Sequence, residues 1–327
     1  MKIETLPGLE AVDPARWNAL VAQSTTASVF LTSPWQAAWL GAFGHGRPLR
    51  VLAARDETDA LVGLLPLYED EPGLWRIVGG VDVSDYLDLI AAPGREEEIW
   101  EALLQHRAAE RAVWHLRGLR AESPTVTRLP GLAPAHGLTC VVEREERCPL
   151  LRLPESWDAY LATLSGKDRH ELRRKMRKLE AELPAVQVRS VTRPAEMDAG
   201  LDEFLRLHRA SRTGKAKFMD ERMEAFFRVA LEALGAAGWV RLWFLESAGT
   251  PVASFICTEY GANLGLYNSG FDPAHSRLAP GIVLLGHVIR DAIERRIAIF
   301  DFLRGEEPYK YAFGPTPSDV MSVRLAP

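Results

Sequence analysis

Side chains that titrate or carry charge crowd into the stretch DFLRGEEPYKYAFG, residues 301–314, among them Asp301, Arg304, Glu306, Tyr309 and Lys310. The apolar run IAIF precedes it and breaks off abruptly into charge, Gly and Pro. That places the cluster at the carboxyl end of a buried strand, where open α/β sheets tend to bind their ligands. A carboxylate, a phenol and an ammonium held together can take up a proton, hand one over and stabilise a developing anion. The same charges also suit plain ion pairing, Asp301 with Arg304 and Glu306 with Lys310 at helical spacing, which would only close the domain.

A second cluster ends the segment LGLYNSGFD, where Tyr267, Asn268, Ser269 and Gly270 stand together at a point where a strand interior would alternate. Tyr267 and Ser269 could face a ligand there; Tyr267 also suits a core position with its hydroxyl at the edge. In the segment SDYLD, Asp85, Tyr86 and Asp88 could grip an amine, and turn chemistry at Ser84 and Asp85 accounts for the same residues. Further along, Arg169, Arg173 and Arg177 form one i, i+4 row and His170, Arg174 and Lys178 another. Like charges at that spacing repel by about 0.2–0.5 kcal/mol per pair, which an anionic partner would relieve. An anionic acceptor, a carrier-protein phosphopantetheine or a nucleic acid such as tRNA would fit the rows of 167–178, as would plain solvation of a helix face.

The elements that must position these groups follow from hydrophobic period and caps. DPARWNALVAQS and SPWQAAWLGAFG read as successive amphipathic helices with Pro in the first turn. RPLRVLAARD and ALVGLLPLYED read as strands, WRIVGGVDVSDYLDLIAA as a continuation of their sheet, GREEEIWEALLQHRAAE as a helix and VWHLRGLR as a strand. The order then recurs: VQVRSV, the helices AEMDAGLDEFLRLHRASR and DERMEAFFRVALEALGAAG, the strands WVRLWFLES, TPVASFICTEY and NLGLYNSGFD, the helix APGIVLLGHVIRDAIERR and the strand IAIFDF. Between the halves, Leu161, Leu164, Asp168, Leu172, Met176, Leu179 and Leu183 give one mostly apolar helical stripe opposite the basic rows. The repetition predicts duplication of one α/β unit, with domains at 1–160 and 161–327.

Composition supports two globular domains: 327 residues, 47% hydrophobic and 25% charged, with room for two cores. A net charge of -5 gives no global basic field for nucleic acid or anionic membrane, so any anion site must be local. Cys140, Cys148 and Cys257 are odd in number with no CxxC pair, as expected of a reduced, cytoplasmic protein. The sequence offers no signal segment and no apolar run of membrane-spanning length. Its eight histidines include no HExxH or HxxxH, and no P-loop, GxSxG or dinucleotide fingerprint is present, so no metal is expected.

The sequence resembles GNAT-like acyltransferases of the CelD type, which are related to the Fem aminoacyltransferases. The resemblance covers nearly the whole chain through VFLTSPWQAAWLGAFG, LVGLLPLYED, SDYLDLI, SWDAYLATLSGKDRHELRRKMRKLE, LYNSGFDPAHSRLAPGIVLL and FDFLRGEEPYKYAFG. It implies an α/β fold with mixed sheets, two tandem GNAT-like domains, and a catalytic site in the second. It implies transfer of an acyl group, acetyl above all, from acetyl-CoA or another acyl-CoA to an amine or hydroxyl, or transfer from aminoacyl-tRNA as in Fem enzymes, or a ligand-binding relative without catalysis. In this fold a loop patterned R/Q-x-x-G-x-G/A cradles pyrophosphate at a helix N-terminus. Arg277 and Gly281 fall on that stretch, but Pro280 and Ile282 replace its glycines, so CoA binding is in question and SRLAPG also reads as a plain helix start. By the same resemblance Tyr309 would protonate a departing thiolate, Lys310 would stabilise charge, and Asp301 or Glu306 would act as base or orient the lysine. Asp85, Tyr86 and Arg304 would contact the acceptor.

Overall fold

In the computed structural model, which describes residues 1–80, 82–107, 110–211 and 217–327, the repeated element order occupies two units. The first is Met1–Arg147 with Ser318–Pro327 and the second Cys148–Pro317. The first unit runs β1 (Lys2–Leu6), α1 (Pro14–Gln23), α2 (Ser33–Phe43), β2 (Leu49–Arg55), β3 (Leu61–Glu71), β4 (Leu74–Ile77), β5 (Ile90–Ala91), α3 (Glu96–His106) and β6 (Val113–Arg120). The short turns α4 (Pro124–Thr127) and α5 (Leu129–Leu132) lead into the long strand β7 (Thr139–Arg152). The second unit runs α6 (Trp157–Thr163), α7 (Gly166–Glu182), β8 (Val186–Val191), α8 (Pro194–Ser211), α9 (Glu221–Ala236), β9 (Val240–Ser247), β10 (Thr250–Tyr260) and β11 (Asn263–Phe271). After these come α10 (Pro280–Glu294), β12 (Ile299–Asp301), α11 (Pro308–Tyr311) and finally β13 (Thr316–Ala326).

The repetition extends to the sense of every strand pair. β1–β2, β2–β3 and β3–β4 are antiparallel and β4–β6 is parallel. In the second unit β8–β9, β9–β10 and β10–β11 are antiparallel and β11–β12 is parallel. Each sheet is then completed from the other half of the sequence. β13 lies antiparallel to β6, Leu325 opposite Trp114, while the end of β7 lies antiparallel to β12, Leu151 opposite Phe300. These bounds differ from 1–160 and 161–327 because of those two pairings, neither of which has a local sequence signal.

Caps set the helices that position the site. Asp13 accepts a hydrogen bond from the Arg16 N–H at 3.0 Å, with Pro14 at N1 of α1. The apolar stripe at 161–183 is divided between two helices. Leu164 is extended (ψ 149°), and Ser165 restarts the chain as N-cap of α7, its Oγ accepting from the Asp168 N–H at 3.1 Å. α10 buries Val283, Leu284, Leu285, Val288, Ile289, Ala292 and Ile293 against Phe255, Cys257, Leu264 and Phe300 of the second unit's core.

The sheet continuation expected over 75–92 is mostly loop. Only β4 and β5 are strand, because Gly79, Gly80 and Tyr86 take positive φ and the segment between folds inward. Val81 in that segment, Ala108 and Ala109 at the end of the expected third helix, and Arg212 at the end of AEMDAGLDEFLRLHRASR lie outside the described residues. Among the described residues no helix is long and apolar enough to cross a membrane.

Candidate active site

β11 and β12 pair over three residues only, Asn263–Ile299, Leu264–Phe300 and Gly265–Asp301. Beyond Asp301 the chain turns away, with Leu303 at φ 53°, while β11 continues to Phe271 against β10. A gap therefore opens beside the second half of β11, where Tyr267, Asn268, Ser269 and Gly270 cluster. Opposite Ile256 and Cys257 the register slips from Asn268 to Leu266, which leaves Tyr267 as the extra residue of a β-bulge. The backbone along this stretch is not left bare. Asn268 Oδ1 accepts from the Ser269 N–H at 2.8 Å, and Ser211 Oγ of α8 accepts from the Phe271 N–H at 2.8 Å.

The gap widens into a cavity of about 500 Å³ between the end of β11, the first turn of α10 and α11. Phe255, Phe271, Pro280, Ile282 and Pro308 supply apolar walls, and Ser269, Ser276, Glu307 and Tyr309 the polar groups. Backbone at Gly270, Ala279 and Gly281 completes the lining. Tyr309 is 38% exposed, so its ring stands at the mouth.

Lys310 takes a different place from its neighbour. Its side chain is buried, and Nζ donates to the carbonyls of Arg304 (2.9 Å), Gly305 (3.0 Å) and Leu303 (3.4 Å) and pairs with Glu307 at 2.9 Å. Asp301 is buried too, its Oδ1 accepting from the Leu303 N–H at 2.7 Å. These two residues lock the 302–307 loop, which carries Glu307 and Tyr309 to the cavity. Glu306 is exposed and accepts from the Tyr311 hydroxyl at 3.0 Å; Arg304 contributes a carbonyl to the Lys310 clamp.

At the start of α10 the pyrophosphate cradle is poorly equipped. Pro280 has no N–H, and the N–H groups of Ile282 and Val283 both donate to the carbonyl of Ala279, at 3.0 and 3.2 Å. Ala279 itself is left-handed, with φ 51°. Arg277 is exposed and ion-paired with Glu182 of α7. Gly281 and the helix dipole remain for an anion.

A family model for the acetyltransferase (GNAT) domain matches residues 166–311, from the start of α7 to the end of α11. That match falls within the second unit. Solved structures extend the likeness of fold across the chain. A structure of FemX has 11% identity and a TM-score of 0.67, covering 98% of this chain and 96% of that one. A conserved protein of unknown function from Bacteroides thetaiotaomicron has 12% identity and a TM-score of 0.66, with full coverage of both chains (100% each). The C-terminal domain of a putative lysylphosphatidylglycerol synthetase from Agrobacterium fabrum has 12% identity and a TM-score of 0.60, covering 96% and 91%. No curated protein matches the sequence.

Of the predicted site residues, the second unit brings Ser269, Gly281 and Tyr309 together around one cavity. Tyr267 sits beside it on the bulge, its ring 5.8 Å from that of Phe227. Lys310, Asp301, Glu306, Arg304 and Arg277 are not among the lining residues. Asp85 and Tyr86 belong to the first unit and are buried there, with the Arg120 guanidinium 4.0 Å over the Tyr86 ring. Glu307 and Ser276 were not singled out from the sequence; the signal for Glu307 was its place immediately before Pro308, as N-cap of α11. Along α7, Arg169, His170, Arg173, Met176, Arg177 and Glu180 line an open groove of about 600 Å³.

Proposed function

We propose that the second unit transfers an acyl group from a thioester, acyl-CoA or a relative, to an amine or hydroxyl acceptor. GNAT domains as a class carry out such transfers, and the observation that supports this reading most is the cavity where Ser269, Glu307 and Tyr309 meet the positive end of α10. The apolar walls take the acyl group and the thioester arm. The acceptor's nitrogen or oxygen attacks the carbonyl carbon, forming C–N or C–O as C–S breaks. Its proton passes to the Glu307 carboxylate, and the Tyr309 phenol gives a proton to the departing thiolate. Ser269 and the N-terminal dipole of α10 stabilise the oxyanion between these steps. Asp301 and Lys310 act as positioning residues, by holding the loop that presents Glu307 and Tyr309.

The test is thiol release from a panel of acyl-CoAs and acyl-pantetheines offered with amine and hydroxyl acceptors. Release that falls about 100-fold in Tyr309→Phe and in Glu307→Gln supports the reading. Acceptor-dependent release unaffected by either change, or none with any thioester, overturns it.

A further inference from the structure

We propose that the donor thioester is delivered by a small acidic carrier protein that docks on the arginine face of α7, an inference that rests on the transferase reading above. The first ground is the mismatch with CoA. With Pro280 lacking an N–H, with Ile282 and Val283 bonded to Ala279, and with Glu182 occupying Arg277, little at this helix start recognises a pyrophosphate. A thioester arm that ends in a protein-bound phosphodiester needs no such cradle.

The second ground is where the unused positive charge lies. Arg174 is bound by Glu171 and Lys178 by Glu182, but Arg173 and Arg177 are exposed and have no ion-pair partner among the described residues. With Arg169 they form one row along the open groove, around Met176. The third ground is the path to the cavity. Leu172 and Met176 pack beside Gly286, and Glu182 pairs with Arg277, so α7 lies antiparallel to α10 and its C-terminal end meets the turn just before α10, next to Ser276 of the cavity lining. Arg177 is five residues from Glu182, roughly 7.5 Å along the axis. A partner on the arginine row therefore holds its arm beside the cavity mouth.

The groove's chemistry selects protein over nucleic acid. Glu180 lines it, and Glu171 and Glu182 flank the row, so an extended phosphate backbone would meet carboxylates at intervals. An acidic helix can place its carboxylates on the guanidinium forks and its apolar residues on Met176, the mixture that marks protein interfaces.

The experiment uses the full chain and a purified acidic acyl carrier protein in its apo, phosphopantetheinyl and acetylated forms, with acetyl-CoA and bulk tRNA alongside. Binding is measured at several salt concentrations, and transfer by thiol release. Expected are binding of apo and phosphopantetheinyl carrier alike, and loss of at least tenfold in affinity in Arg173→Glu/Arg177→Glu with no change in melting temperature. The same variant should lose kcat/KM with the acetylated carrier and keep its turnover of acetyl-CoA. The milder Arg173→Gln/Arg177→Gln serves if charge reversal disturbs folding. Absent carrier binding, binding indifferent to either variant, or tighter retention of tRNA through the same arginines overturns the proposal. Acetyl-CoA turnover without carrier binding would remove the docking surface and leave the transferase reading; carrier docking without transfer from any thioester would do the reverse.

Discussion

Tyr309 and Lys310 are adjacent in sequence and part company in space: the phenol is at a cavity mouth, the ammonium inside a loop. Lys310→Met would leave the carbonyls of Leu303, Arg304 and Gly305 without their shared donor, and equilibrium denaturation should show a loss of about 3 kcal/mol. Lys310→Arg should not recover it, because a planar fork cannot meet carbonyls converging on a point. Tyr309→Phe, by contrast, should leave stability unchanged. In the first unit, Asp88 is fully buried and accepts from the hydroxyls of Ser123 and Thr125 and from the Leu89 N–H. Burial is the main cause that pushes its carboxyl up to about 6, from an ordinary value of 3.8. Between those values the folded protein keeps a proton that the unfolded chain has released, so stability is full at low pH and falls as pH rises through 6. The loss is on the order of 3 kcal/mol. Melting temperature followed from pH 4 to 7.5 should decline for this reason, and Asp88→Asn should flatten that decline; an unchanged slope in the variant would assign the decline to other groups.

Among the elements, β11 is the most constrained. A Cβ on Gly270 would stand 2.5 Å from the backbone nitrogen of His208, so helix α8 and the strand touch through backbone alone. Gly270→Ala must push them apart and should cost about 3 kcal/mol in denaturation and distort the cavity that Gly270 lines. Most of the regular elements were legible because hydrophobic period, prolines and turns coincide: Asp13–Pro14 opens α1, Pro280 stands at the start of α10, and short turns separate the strand-forming runs of β9 to β11. β7 and β13 escaped notice. EREER within β7 lacks strand-forming residues, and TPSDV opens β13 with a proline; their place depends on partners far away in sequence. For the cavity, Ser269, Gly281 and Tyr309 were readable from clustering at a strand end and a helix start. The inward turn of Lys310 was not, since a lysine beside a tyrosine signals charge and says nothing of three converging carbonyls.

For the molecule as a whole, the exchanged strands decide how it can be divided. A chain ended after Pro317 would lose β13 and leave β6 an open edge, and should show aggregation by light scattering and loss of cooperative melting in the first unit. The separate pieces 1–160 and 161–327 should each be poorly soluble and recover on mixing, since each holds a strand that the other unit needs. The same arrangement sets an order on biosynthesis. Domains emerging from a ribosome ordinarily fold N-terminal first. Here the strand that closes the first unit's sheet is translated only after the whole second unit, so that sheet must wait, one edge bare, until residues 318–326 have emerged.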